Sequence, residues 1–117
     1  MKKNVIVNRR NGNAVSVNMH YADTWLKRLV GLLSRSGLAT GEGLLIKPCG
    51  SIHTIGMRFS IDVVFLDDDL RVNKLTRSLK PFRFCWSVKR TRSVLELPAG
   101  AIEASGLQCG DKLAIEP

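Results

Sequence analysis

From Gly43 to the C-terminus the period of a helix face is absent, and apolar residues come in short runs or alternate with polar ones. Leu44-Leu45-Ile46, Ile61 to Leu66, Leu70 to Leu75, Phe82 to Val88, Val94 to Leu97 and Leu113 to Ile115 are such segments, divided by Gly, Pro and Asp. So many short strands in so small a chain predict a barrel or a sandwich rather than an open sheet. Asp67-Asp68-Asp69 reads as a turn between two of them. At 117 residues the chain buries about two-thirds of the surface its unfolded form exposes, enough for one core. Residues 1–117 are therefore expected to form one domain.

The first third reads differently. Val5-Ile6-Val7 and the alternating Val15, Val17 and Met19 flank Arg10-Asn11-Gly12-Asn13, and Asn-Gly between β-formers predicts an opening hairpin. Asp23 or Thr24 caps a short helix, because Trp25, Leu29, Leu32 and Leu33 recur at three- and four-residue spacing. Gly37 and Gly41 mark the loop that follows. Near the other end, Pro98 to Gly106 holds one helical turn with Gly106 as its left-handed stop, and Gly110-Asp111 opens the last strand. The fold class is α+β, mainly β: a small antiparallel β-barrel-like domain with one short helix in its N-terminal half and a helical turn near its C-terminus.

No apolar run approaches the roughly 20 residues that span a bilayer. Met1 to Gly12 holds Lys2 and Lys3 but only Val5-Ile6-Val7 as an apolar stretch, which is no signal peptide. The cysteines Cys49, Cys85 and Cys109 are odd in number and widely spaced, unlike a disulfide framework or a metal knuckle. Reduced thiols, a cytoplasmic location and no membrane partner are expected. The formal charge of +8 is unevenly placed: Arg71, Lys74, Arg77, Lys80, Arg83, Lys89, Arg90 and Arg92 share a stretch without a single acid. A positive surface with affinity for polyanions follows.

Four patterns stand in order: Arg28-Leu-Val-Gly31-Leu32-Leu33-Ser-Arg35, Gly43-Leu44-Leu45-Ile46, Ile61-Asp62-Val63-Val64-Phe65-Leu66-Asp67, and Leu95-Glu96-Leu97-Pro98-Ala99-Gly100 with Gly110-Asp111. Together they resemble the bacterial and archaeal family known as domain of unknown function 192, from about Trp25 to the C-terminus. The resemblance implies a compact, mostly antiparallel barrel-like fold with a short early helix, and no reaction. Where many members carry W-M-K-N-T before the L-D pair, this chain reads Ser51-Ile52-His53-Thr54-Ile55-Gly56-Met57, similar to a subgroup with S-I-H-T-x-G-M.

Several residues invite chemistry, and each has a plainer alternative. His53 stands beside Thr54, with Cys49 upstream and Asp62 downstream, so a His53/Asp62 acid-base pair is one reading and a satisfied core histidine the other. Cys49, His53, Asp62 and His20 are all zinc-type donors, but the Cys-x-x-x-His spacing arises by chance too often to assign a metal, and no cofactor is expected. Arg28 and Arg35, seven residues apart, fall on nearly one side of a helix and suit an anionic ligand; the alternative is an interior ion pair with Glu96 or Asp62. Phe82, Phe84 and Trp86 alternate with Arg83 in the basic stretch, as in a single-stranded nucleic-acid platform, though period-two spacing is met most simply by rings facing the core.

The expectation is a domain that binds something small or anionic through Arg28, Arg35, His53, Thr54, Asp62 and Glu96. A binding module that meets nucleic acid or an acidic protein through Arg71 to Arg92 is the competing class, and an enzyme built on His53 and Asp62 the third.

Overall fold

The computed structural model describes residues 4–22, 37–47, 51–53, 58–86 and 88–117, with backbone alone at Ala22 and at 51–53. The β-formers on either side of Asn11-Gly12 pair as expected, β1 (Asn4–Asn8) antiparallel to β2 (Ala14–Ala22). The remaining strands are β3 (Glu42–Ile46), β4 (Ser51–His53), β5 (Ile61–Leu66), β6 (Val72–Leu79), β7 (Phe84–Trp86), β8 (Ser93–Pro98) and β9 (Leu113–Glu116). The helical turn α1 (Ala101–Ser105) ends at Gly106, whose φ of 69° is the left-handed stop read from the sequence. The helix expected after Asp23 or Thr24 lies outside the described residues, as do Arg28, Arg35, Cys49 and Thr54.

Seven strands form one sheet in the order β6-β5-β8-β3-β2-β1-β9, and β4 pairs with β7 in a separate ribbon. Among the described residues every strand pairing is antiparallel except β2 with β3, which run parallel. The sheet curls until its two edges touch at one end. There Arg71 bridges Lys112, Val72 N–H donates to the Asp111 carbonyl at 2.8 Å, and Leu113 N–H donates to that of Leu70 at 2.9 Å. The result is a half-barrel closed at one corner, as expected for a β-rich chain that limits its exposed edges.

The central strands β5 and β8 explain the continuous apolar runs. Every residue of β5 is buried, because layers cover both faces of the sheet. On one face Val64, Leu66, Leu95 and Leu97 pack with Leu45, Ile102, Leu107 and Leu113. On the other, Ile61, Val63, Phe65 and Val94 pack with Cys85 of the ribbon. Gly43 sits where β3 crosses close to β2: a Cβ there would stand 2.8 Å from Ser16 Oγ and 3.2 Å from Leu97 Cδ2. Only a residue without a side chain fits that approach.

Three local differences from the sequence reading stand out. β6 starts at Val72 and runs on to Leu79, past the Leu75 expected as its end. The Phe82 to Val88 segment contracts to three residues, Phe84–Trp86. Its partner β4, from a segment not read as a strand, completes the ribbon.

Candidate functional site

The two acidic residues in the apolar strands do not share a site. Asp62 pairs with Leu97 and Glu96 with Val63, so the two carboxyls leave the sheet on opposite faces. Asp62 Oδ2 accepts hydrogen bonds from Gly100 N–H at 3.1 Å and Ile102 N–H at 2.9 Å, where the chain enters α1. Its Oδ1 accepts from Ser78 N–H at 2.8 Å. Ser78 lies at a bulge, where β6 carries one residue more than β5, and its φ of 50° turns that N–H out of the ladder. Backbone amides therefore surround the Asp62 carboxylate, a structural assignment. His53 is described only by its backbone in β4, and the ribbon that carries it packs through Cys85 on the other face of the sheet.

Glu96 lies on the ribbon side, between Leu44 of β3 and Val63 of β5. Burial pushes its carboxyl from the ordinary 4.5 up to about 7. The expected pairing with Arg28 or Arg35 falls on residues outside those described.

The basic stretch is where the structure departs most from the alternation argument. Rings facing the core were the simplest expectation, yet Phe82 is 65% exposed, Phe84 58% and Trp86 69%, and Val88 is exposed as well. The inward position of β7 belongs to Cys85, which is buried with its Sγ 3.2 Å from Thr76 Oγ1. Phe65, Val63 and Val94 already fill the sheet face beneath, and the remaining space takes a thiol rather than a ring. The phase of the strand is thereby set, with both aromatic positions turned to water.

That ribbon is firmly held. Lys74 reaches from β6, its Nζ 5.5 Å from the Phe65 ring centroid, and donates to the Trp86 carbonyl at 2.8 Å. Asn73 Nδ2 donates to Thr91 Oγ1 at 3.3 Å, and Arg92 N–H to the Leu66 carbonyl at 2.7 Å. The Phe84 and Trp86 rings lie side by side, 6.0 Å between centroids and 14° from parallel. Phe82 and Arg90, at the turns before and after, hold φ values of 61° and 70°, a conformation bulky residues seldom adopt. Of the eight cations, Arg71 bonds the Gly110 carbonyl and Arg92 stands 3.7 Å from Asp68, while Lys74 clasps the ribbon. Arg77, Lys80, Arg83, Lys89 and Arg90 are exposed.

One polar cluster escaped the sequence reading. Arg10 Nε donates to Asp111 Oδ1 at 2.7 Å, Asn8 Nδ2 to Asp111 Oδ2 at 2.8 Å, and Gln108 N–H to the same oxygen at 2.8 Å. The Arg10 bond, reinforced by Gln108 and Asn8, holds the Asp111 carboxyl below its ordinary value against the opposing effect of burial. Its members lie a hundred residues apart, so only the separate turn signals at Asn11-Gly12 and Gly110-Asp111 hinted at it. The cluster ties the opening hairpin to the C-terminal strand. Beside it a cleft of about 480 Å³ runs between Ser16, Val17, Gly41, Gly100 and Ala101. Among the described residues its walls carry no charged side chain.

Comparisons place this architecture among known chains. The family DUF192, described as an uncharacterised ACR, matches residues 6–115. A UPF0127 protein of Pyrococcus furiosus is 33% identical over 111 residues, covering 92% of this chain and 95% of that protein. A UPF0127 protein of Pyrococcus horikoshii is 35% identical over 112 residues, covering 93% and 96%. Among solved structures, a protein of unknown function from Novosphingobium aromaticivorans superposes with a TM-score of 0.81 at 20% identity, over 95% of this chain and 82% of that one. A putative transcription regulator from Sinorhizobium meliloti gives 0.82 at 20% identity, over 95% and 90%. At that identity the likeness concerns the fold. Among the described residues no helix is long and apolar enough to cross a membrane.

Proposed function

The chain belongs to the DUF192 family, whose description assigns no activity, and from that premise we propose that it is a binding module that docks an anionic partner on the outer face of the β4–β7 ribbon. One observation carries the reading: Phe84 and Trp86 are held in water, in the acid-free stretch from Arg71 to Arg92. Each ring left exposed forgoes about 2 kcal/mol of burial. Scattered exposed apolar residues need no explanation, but adjacent ones rimmed by charge mark an interaction surface. Lys89, Arg90 and Arg83, exposed and next to the rings in sequence, are the side chains to supply that rim, and their common sign selects against basic partners.

Charge reversal tests it. Lys89→Glu with Arg90→Glu is compared with Arg9→Glu plus Lys112→Glu, exposed positions away from the ribbon with the same change in net charge. Inorganic polyphosphate serves as the probe in a fluorescence competition assay. The ribbon pair loses binding and flattens the salt dependence, while the control pair retains most of both. Equal losses in the two pairs mean that net charge alone attracts the probe, and the reading fails.

A further inference from the structure

Resting on that docking surface, we propose that its partner is a single-stranded nucleic acid whose bases stack on Phe84 and Trp86 while its phosphates meet Lys89, Arg90 and Arg83. The cations alone would suit any polyanion. The rings narrow the choice. Alternate residues of a strand stand about 6.6 Å apart, close to twice the roughly 3.4 Å rise between stacked bases. Side chains at such positions therefore form a comb in which a flat ring can lie against each tooth or between two. The observed pair, 6.0 Å between centroids and 14° from parallel, has the orientation this requires.

Two further features fit. The platform is fixed in advance: Lys74 binds the Trp86 carbonyl from below, Cys85 is seated in the core between the two rings, and little ordering remains to be done on binding. The strained turns at Phe82 and Arg90 bracket it, and strain of that kind is retained where a surface must be held in a particular shape. A duplex keeps its base faces inside its own stack and offers phosphates and groove edges only, so it could use the cations but not the rings. An acidic protein could bury the two rings as apolar anchors, but nothing in that contact calls for their near-parallel arrangement.

Fluorescence anisotropy of a labelled oligothymidylate of about 15 nucleotides, enough to span one such surface, tests the assignment. A hairpin duplex and inorganic polyphosphate serve as competitors, against the whole chain and its Phe84→Ala and Trp86→Ala variants. Both side chains are exposed, and an unchanged thermal midpoint establishes that each variant is folded. The oligothymidylate should bind more tightly than the duplex, and each variant should weaken it by at least about fivefold, the loss of one stacked base, while polyphosphate binding stays as it was. If the folded variants bind oligothymidylate as the parent does, while Lys89→Glu with Arg90→Glu abolishes it, the stacking assignment is overturned and the anionic docking surface stands. If charge reversal affects neither probe, both fall. A dimer in sedimentation that Trp86→Ala dissolves, with no oligothymidylate bound, overturns the assignment in favour of a second copy of the chain.

Discussion

Replacing Glu96 by glutamine keeps the shape of the side chain and removes its proton equilibrium, which isolates the energetic consequence of burying that carboxyl. In the folded chain the group titrates near 7, against an ordinary 4.5. A carboxyl with a raised folded value holds its proton more tightly folded than unfolded, so between about pH 4.5 and 7 its contribution to stability falls as pH rises. The difference of 2.5 between those values corresponds to about 3 kcal/mol, fully present below pH 4.5 and gone above about 7. Glu96→Gln should therefore be little changed near pH 5, yet gain up to about 3 kcal/mol over the parent by pH 8. At a urea slope of about 1.5 kcal/mol per molar, the midpoint rises by about 2 M. Urea titrations of both chains from pH 4.5 to 8.5, followed by far-ultraviolet circular dichroism, report the difference, in which the titrations of other groups cancel. A parallel pair of profiles would mean that burial leaves the Glu96 carboxyl unshifted. A glutamine variant weaker than the parent at every pH would instead establish a carboxylate held charged by a cation, the pairing expected from the sequence.

Asp62→Ala leaves the amides of Ser78, Gly100 and Ile102 without their acceptor and should lower stability by about 3 kcal/mol, read from the thermal or urea midpoint; an unchanged midpoint would restore Asp62 as a candidate for chemistry. Asp111 has a depressed folded value, so its contribution is present above the ordinary carboxylate range and lost as pH falls through the folded value. Asp111→Asn should thus lose stability at neutral pH but converge on the parent as pH falls through the folded value, and a constant gap in acid titrations would contradict the Arg10 account. Gly43→Ala forces a Cβ to within 2.8 Å of Ser16 Oγ and should be destabilised by about 1 to 3 kcal/mol, relieved in the double variant with Ser16→Gly.

Much of the fold could be read because the signals were local. Asn11-Gly12 between β-formers fixes a hairpin through the turn it demands, Gly106 stops a helical turn by its own φ, and the Asp67 to Asp69 turn follows from side chains that bond their own backbone, as Asp67 Oδ1 does with Asp69 N–H at 2.8 Å. The parallel pairing of β2 with β3 has no such local mark. Nor does the bulge at Ser78, whose φ of 50° depends on an acceptor sixteen residues away. The Arg10–Asp111 cluster depends on an even more distant contact. Composition could say that buried Asp62 and Glu96 need an environment, but not that one receives backbone amides and the other a desolvated pocket.

The candidate site shows why alternation alone misleads. In Phe82 to Val88 the period of two is real, and it separates Phe84 and Trp86 from Cys85, yet it cannot say which set is covered. That depends on what fills the face beneath, and Phe65, with Val63 and Val94, leaves room for the smaller side chain. Large rings are then expelled from the core by the packing of a neighbouring strand. Composition, by contrast, carries most weight where it is extreme: eight cations without an acid in twenty-two residues argue for a positive surface whatever the phase of the strand. The aromatic and basic signals were each ambiguous, and their meeting on one exposed ribbon gives the binding proposal its physical basis.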